Sequence, residues 1–142
     1  MSYPAERRLL QALLAVLGAT AAVAGLFAVL SGPDGQLDGA AVGASIDSEY
    51  RFYAALWLGF GAVALALVPR VERETLAVRA LAAVLFAAGV ARVLAWIDTG
   101  RPHGVFLALL ALELAIPPVL VVWQARIRAR GGDRRHAGSG TV

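Results

Sequence analysis

Apolar residues in this chain gather into four long stretches, Leu9 to Leu30, Phe52 to Val68, Leu76 to Ile97 and Val105 to Trp123, separated by short polar segments. A surface helix of a soluble protein shows a polar face recurring about every 3.6 residues. Leu9 to Leu30 offers only Gln11 and Thr20 as polar side chains, so it is apolar all round. Stretches of 17 to 22 residues span about 25 to 33 Å at about 1.5 Å per residue, against a bilayer hydrocarbon core of about 30 Å. In lipid every backbone N–H and C=O must be satisfied inside its own segment, which helices do. The pattern therefore predicts transmembrane helices over about 9–30, 50–68, 76–97 and 104–124.

The polar segments set the expected connectivity. Pro69 to Thr75 and Asp98 to Gly104 are short, which makes helices two, three and four antiparallel neighbours. Ser31 to Glu49 is longer, Gly-rich and acidic, with Asp34, Asp38, Asp47 and Glu49, and reads as an extracytoplasmic loop. The expected fold class is all-α, a four-transmembrane-helix antiparallel bundle over residues 1–125. Arg126 to Val142 turns polar and Gly-rich and reads as a disordered cytoplasmic tail.

Composition agrees: 59% of the residues are hydrophobic and 16% charged, with a mean hydropathy of +0.70, too apolar for a small soluble domain. The absence of cysteine excludes disulfides, thiolate metal sites and cysteine nucleophiles. All 13 basic residues are arginine, and their placement predicts orientation. With the N-terminus inside, the cytoplasmic side holds nine, Arg7, Arg8, Arg70, Arg73, Arg126, Arg128, Arg130, Arg134 and Arg135, and the outside only Arg51 and Arg101. Arg79 lies one turn inside helix three and can snorkel to the cytoplasmic face. The asymmetry gives N-in, C-in, with both termini cytoplasmic. The first apolar stretch exceeds a signal-peptide h-region and reads as a retained anchor. The C-terminal arginines lack stacking aromatics, so no nucleic acid is expected as partner. They enforce topology, with contact to anionic membrane lipid as an addition.

Lipid supplies no hydrophobic drive for helix association, so small residues must let backbones approach. Ala83, Ala87, Ala91 and Ala95 form one such stripe on helix three, and Gly59 and Gly61 on helix two match Ala21 and Gly25 on helix one.

Two charges lie well inside helices three and four, Arg92 and Glu113. Each costs about 2.5 to 3.5 kcal/mol near a helix centre on insertion scales, so neither should face lipid alone. Measured inward from the outer helix ends they lie about 7.5 and 12 Å deep, within reach of each other for a long guanidinium side chain. Pro117 and Pro118 deprive the carbonyls of Glu113 and Leu114 of their helical donors and should kink helix four there. Above the pair, towards the outer face, stand Glu49, Arg51, Tyr53, Trp96 and His103, which suggests a polar vestibule with the acidic loop as its lid. The candidate ligand-binding residues are thus Arg92, Glu113, Arg51, Glu49, Tyr53, Trp96 and His103. Plainer readings stand beside these: a structural ion pair fixing helix register, aromatic anchors at the membrane interface, and a solvated His103. His103 and His136 fall on opposite sides of the membrane, so no histidine metal site and no cofactor are expected.

Five strings carry a resemblance: Asp47-Ser-Glu-Tyr-Arg-Phe-Tyr-Ala-Ala-Leu-Trp-Leu-Gly59, Pro69-Arg-Val-Glu-Arg73, Gly89-Val-Ala-Arg-Val-Leu94, Gly100-Arg-Pro-His103 and Leu112-Glu-Leu-Ala-Ile-Pro-Pro118. The chain up to Arg128 resembles the bacterial domain of unknown function 4345 family. The resemblance implies a small four-helix integral membrane protein of the bacterial inner (cytoplasmic) membrane, with motif positions at Arg51, Arg92, His103, Glu113 and Pro117, and it implies no reaction.

Three classes of function remain open on the residues. A non-enzymatic module could bind a lipid-like or small amphipathic molecule, polar head at Arg92 and Glu113. A membrane enzyme could use Glu113 as acid or base, although no nucleophile, metal set or phosphate loop accompanies it. An accessory subunit would take a membrane-protein partner. Ion conduction is disfavoured, because Val119-Leu-Val-Val122 offers no polar path below the prolines.

Overall fold

The computed structural model describes residues 3–138, with side chains as far as Arg130. The described residues form four long helices and no strands: α1 (Tyr3–Ser31), α2 (Ala44–Leu67), α3 (Thr75–Thr99) and α4 (Gly104–Gly138), with a single 3-10 turn, Val68–Arg70, after α2. All four are long and apolar enough to cross a membrane. In their most apolar stretches only 22% to 28% of positions are buried within the protein. Leu, Val and Phe side chains cover the remaining surface, and such a surface needs a solvent other than water. The chain is a multi-pass membrane protein.

Helix ends follow local chemistry. α1 stops where Gly32 enters the left-handed region at φ +71°, its N–H donating to the Ala28 carbonyl at 3.0 Å, with Pro33 next in the chain. α2 begins at Ala44, six residues ahead of its expected start, because Asp47 sits in its first turn and accepts from Arg51 one turn on, at 2.8 Å. The connection expected to run to Glu49 therefore ends at Gly43. α4 runs through Pro117 and Pro118 and on to Gly138, so the expected boundary at Arg126 is not an end of helix. The last four residues of the expected tail lie outside those described.

The described residues divide into two compact units, one of residues 13–68, the other of residues up to Ala12 together with those from Pro69 onward. In the first, α1 and α2 approach backbone to backbone at Gly25 and Gly61. A Cβ at Gly25 would lie 2.8 Å from Leu58 Cα, and one at Gly61 2.7 Å from Ala22 Cα. Gly59, expected on the same surface, is exposed with nothing near its missing Cβ.

In the second unit α3 packs on α4. The buried positions of α4 are Leu110, Glu113, Pro117, Leu120, Gln124 and Ile127, spaced alternately by three and four residues, and those of α3 include Val78, Ala82, Leu85 and Gly89 in the same rhythm. Alternate three- and four-residue steps average 3.5 and stay on one line of a gently supercoiled pair, as in coiled coils. The alanine stripe expected to pack is exposed at Ala83, Ala87, Ala91 and Ala95. Every step of four over-rotates by about 40° on a helix of about 3.6 residues per turn, so such a row winds off any seam.

Gln124 is 1% exposed and its Nε2 donates to the carbonyl of fully buried Val71 at 2.6 Å. Replacing Gln124 with leucine leaves that carbonyl without its donor. Unfolding in detergent micelles should show a loss of about 1–3 kcal/mol, and an unchanged stability would refute the assignment.

Candidate functional site

Arg92 continues the buried row of α3 one turn beyond Gly89, which places a cation on the helix–helix seam rather than on lipid. Gly89 makes room for its partner: a Cβ there would stand 3.2 Å from Glu113 Cβ and 2.8 Å from Leu114 Cδ2. Glu113, 4% exposed, accepts a hydrogen bond from Arg92 Nε at 2.7 Å, so the two intramembrane charges meet. Phe106 lies seven residues before Glu113 on the same face of α4, and the guanidinium carbon of Arg92 sits 5.6 Å from its ring centroid, a cation–π contact. The guanidinium is thus held by a carboxylate and by an aromatic ring.

Only Nε is used in that pair. The two terminal nitrogens of Arg92, with four N–H groups between them, have no hydrogen-bond partner among the described residues. Arg92 also lines a cavity of about 230 Å³, together with Trp96, Thr99, Pro102 and Phe106. Arg92, Trp96 and Thr99 share one face of α3 through spacings of four and three. Glu113 does not line this cavity.

Of the residues expected at the site, the structure brings together Arg92 and Glu113 as the pair and adds Trp96 as cavity wall. His103 is exposed and serves locally: its Nδ1 accepts the Val105 N–H at 3.3 Å, capping the start of α4. Arg51, Glu49 and Tyr53 belong to the other unit. There Arg51 pairs with Asp47 and donates from Nη1 to the carbonyls of Val29 and Leu30 at 2.5 and 3.3 Å, closing the orphaned end of α1. A Cβ at Gly32 would stand 2.6 Å from Arg51 Nη2, so the glycine also makes way for this guanidinium. Glu49 and Tyr53 are exposed, the Tyr53 ring meeting Phe52 edge-on at 5.5 Å.

The sequence reading missed Phe106, Thr99 and Pro102. Phe106 alone left a signal, its two-turn spacing from Glu113. Among the described residues no three His, Cys, Asp or Glu side chains cluster so as to hold a metal ion.

At its other end this unit has a second ionic group. Arg130 donates to both carboxylate oxygens of Glu6 at 2.5 and 2.6 Å, Arg7 lies 2.9 Å from Glu72, and Arg128 donates to Thr75 Oγ1 at 2.5 Å. Arginines expected to set topology also tie α4 to α1 and α3.

A small helical membrane protein with a buried Arg–Glu pair is the class these observations define. Residues 9–124 match the family described as Domain of unknown function (DUF4345), and the chain belongs to that family. No curated protein matches the chain, and no solved structure does.

Proposed function

We propose that this protein is a non-enzymatic membrane module that binds a lipid-like or small amphipathic molecule through an oxygen-bearing head at Arg92. The observation that carries the reading is the unspent donor capacity of Arg92: its Nε neutralises Glu113, while its terminal amino groups stand unpartnered on a side chain that lines a cavity. Planar guanidinium donors suit a carboxylate, carbonyl or phosphate oxygen. A cavity of about 230 Å³ is below the ~300–1,000 Å³ of sites that enclose a whole small molecule, so it suits a head whose tail lies along the apolar helix surface. Trp96 and Phe106 supply flat apolar walls for such a head. Because Glu113 does not line the cavity, binding is favoured over acid–base chemistry.

The same reading takes the four helices as an antiparallel bundle, N-in and C-in, in a bacterial inner membrane. Contacts pairing residue 75 with 128, 89 with 114 and 92 with 113 support opposed directions for α3 and α4, and the arginine asymmetry supports the orientation.

Arg92→Lys tests it. Lysine keeps a cation for Glu113 but lacks the second donor edge. Native mass spectrometry of molecules co-purified with wild type and variant should show the bound species reduced about tenfold, the order expected for lost charge-assisted hydrogen bonds. Identical bound profiles would overturn the proposal.

A further inference from the structure

We infer a second lipid site, specific for an anionic phospholipid, in the groove of about 510 Å³ lined by Glu6 of α1 and by Pro118, Val119, Val122, Trp123 and Arg126 of α4. The α4 residues recur at one- and three-residue steps, so they form one face about 12 Å long by helix rise. Along that face the chemistry changes in one direction: an apolar wall from Pro118 to Val122, then the amphipathic ring of Trp123, then the cation of Arg126. A phospholipid changes in the same order, from acyl chain through the carbonyl region to phosphate. Tryptophan concentrates at that middle level, and a basic side chain at the headgroup level attracts anionic lipid.

Charge decides the class of headgroup. Glu6, the one acid in the groove, already has both oxygens engaged by Arg130. Arg126 is exposed and has no ion pair or hydrogen bond among the described residues. The groove therefore presents one uncompensated positive charge, which suits a headgroup of net negative charge and gives no preference to a zwitterion. The site is separate in its residues from the Arg92 cavity.

The test uses the full chain in nanodiscs of mixed phosphatidylglycerol and phosphatidylcholine, with retained lipid counted by native mass spectrometry on release. Wild type should retain phosphatidylglycerol in preference, and Arg126→Gln should lower that preference about fivefold, the factor of one basic side chain at an anionic surface. Val119→Trp, which fills the groove without changing charge, should lower it too. Arg101→Gln, an exposed arginine outside the groove, should leave it unchanged, and the loss on Arg126→Gln should persist in an Arg92→Lys background, which separates this site from the first. Three results would overturn the inference: equal preference in wild type and Arg126→Gln, an equal loss in Arg101→Gln, or displacement of the retained lipid by inorganic phosphate alone.

Discussion

Arg92→Ala is expected to cost about 3–5 kcal/mol of folding stability, the penalty for breaking a buried ion pair from one side. The cost comes from what remains. Glu113 is 4% exposed, too short to reach an interface, and without Arg92 its carboxylate has no donor among the described residues. The mirror change is milder. Glu113→Gln keeps an oxygen that still accepts from Arg92 Nε, and the Arg92 side chain, 35% exposed, has a long stem that can carry its charge towards water. Replacing both residues with leucine should recover most of the loss, because an apolar pair of similar volume needs no desolvation of charge. A double-mutant cycle in detergent micelles, by reversible unfolding, gives the coupling directly. If Arg92→Ala stays within about 1 kcal/mol of wild type, the pair behaves as an exposed one, and the picture of a charge held dry on the seam fails.

How far the sequence discloses this arrangement depends on which physical constraint is at stake. The four helices are legible, since a stretch such as Leu9 to Leu30 has nowhere stable to go but lipid. The meeting of Arg92 and Glu113 is legible for the same reason: two costly charges at similar depth leave one inexpensive solution. Helix ends are not, because hydropathy marks only the greasy part of a helix. α2 reaches back to Ala44 on the strength of Asp47 and Arg51, and α4 outruns Trp123 by polar turns whose arginines find Glu6 and Thr75. Nor is the buried face of α3 legible from its apolar residues. With apolar side chains on every side, the alanine row and the true seam look alike, and only Arg92, in phase with Val78, Ala82, Leu85 and Gly89, marks the right one. Glu113 and Gln124 mark it on α4. The cavity beside Arg92 depends on the α3–α4 connection bringing Pro102 and Phe106 to face Trp96, and spacing along one helix does not foretell that.

The second large effect should appear where α1 and α2 touch through glycine. Gly25→Ala would place a methyl 2.8 Å from Leu58 Cα and 2.9 Å from the Ala54 carbonyl oxygen, and Gly61→Ala one 2.7 Å from Ala22 Cα and 2.6 Å from the Gly18 oxygen. These are backbone atoms, which no rotamer change can move aside, so the helices must separate. In lipid that separation forfeits the close van der Waals contact that holds helices together. Each alanine should cost about 1–3 kcal/mol, and leucine at either position more. Gly89→Ala should cost less, because its nearest neighbour is the Leu114 methyl at 2.8 Å, the end of a flexible chain. The discriminating control lies two residues from Gly61. Gly59 has nothing within 4 Å of its missing Cβ, so Gly59→Ala should stabilise α2 by about 0.5–1 kcal/mol through reduced backbone freedom in the unfolded chain. Unfolding measured in one micelle should give the two substitutions opposite signs. The same sign at both would mean that Gly61 does not carry the contact between these helices.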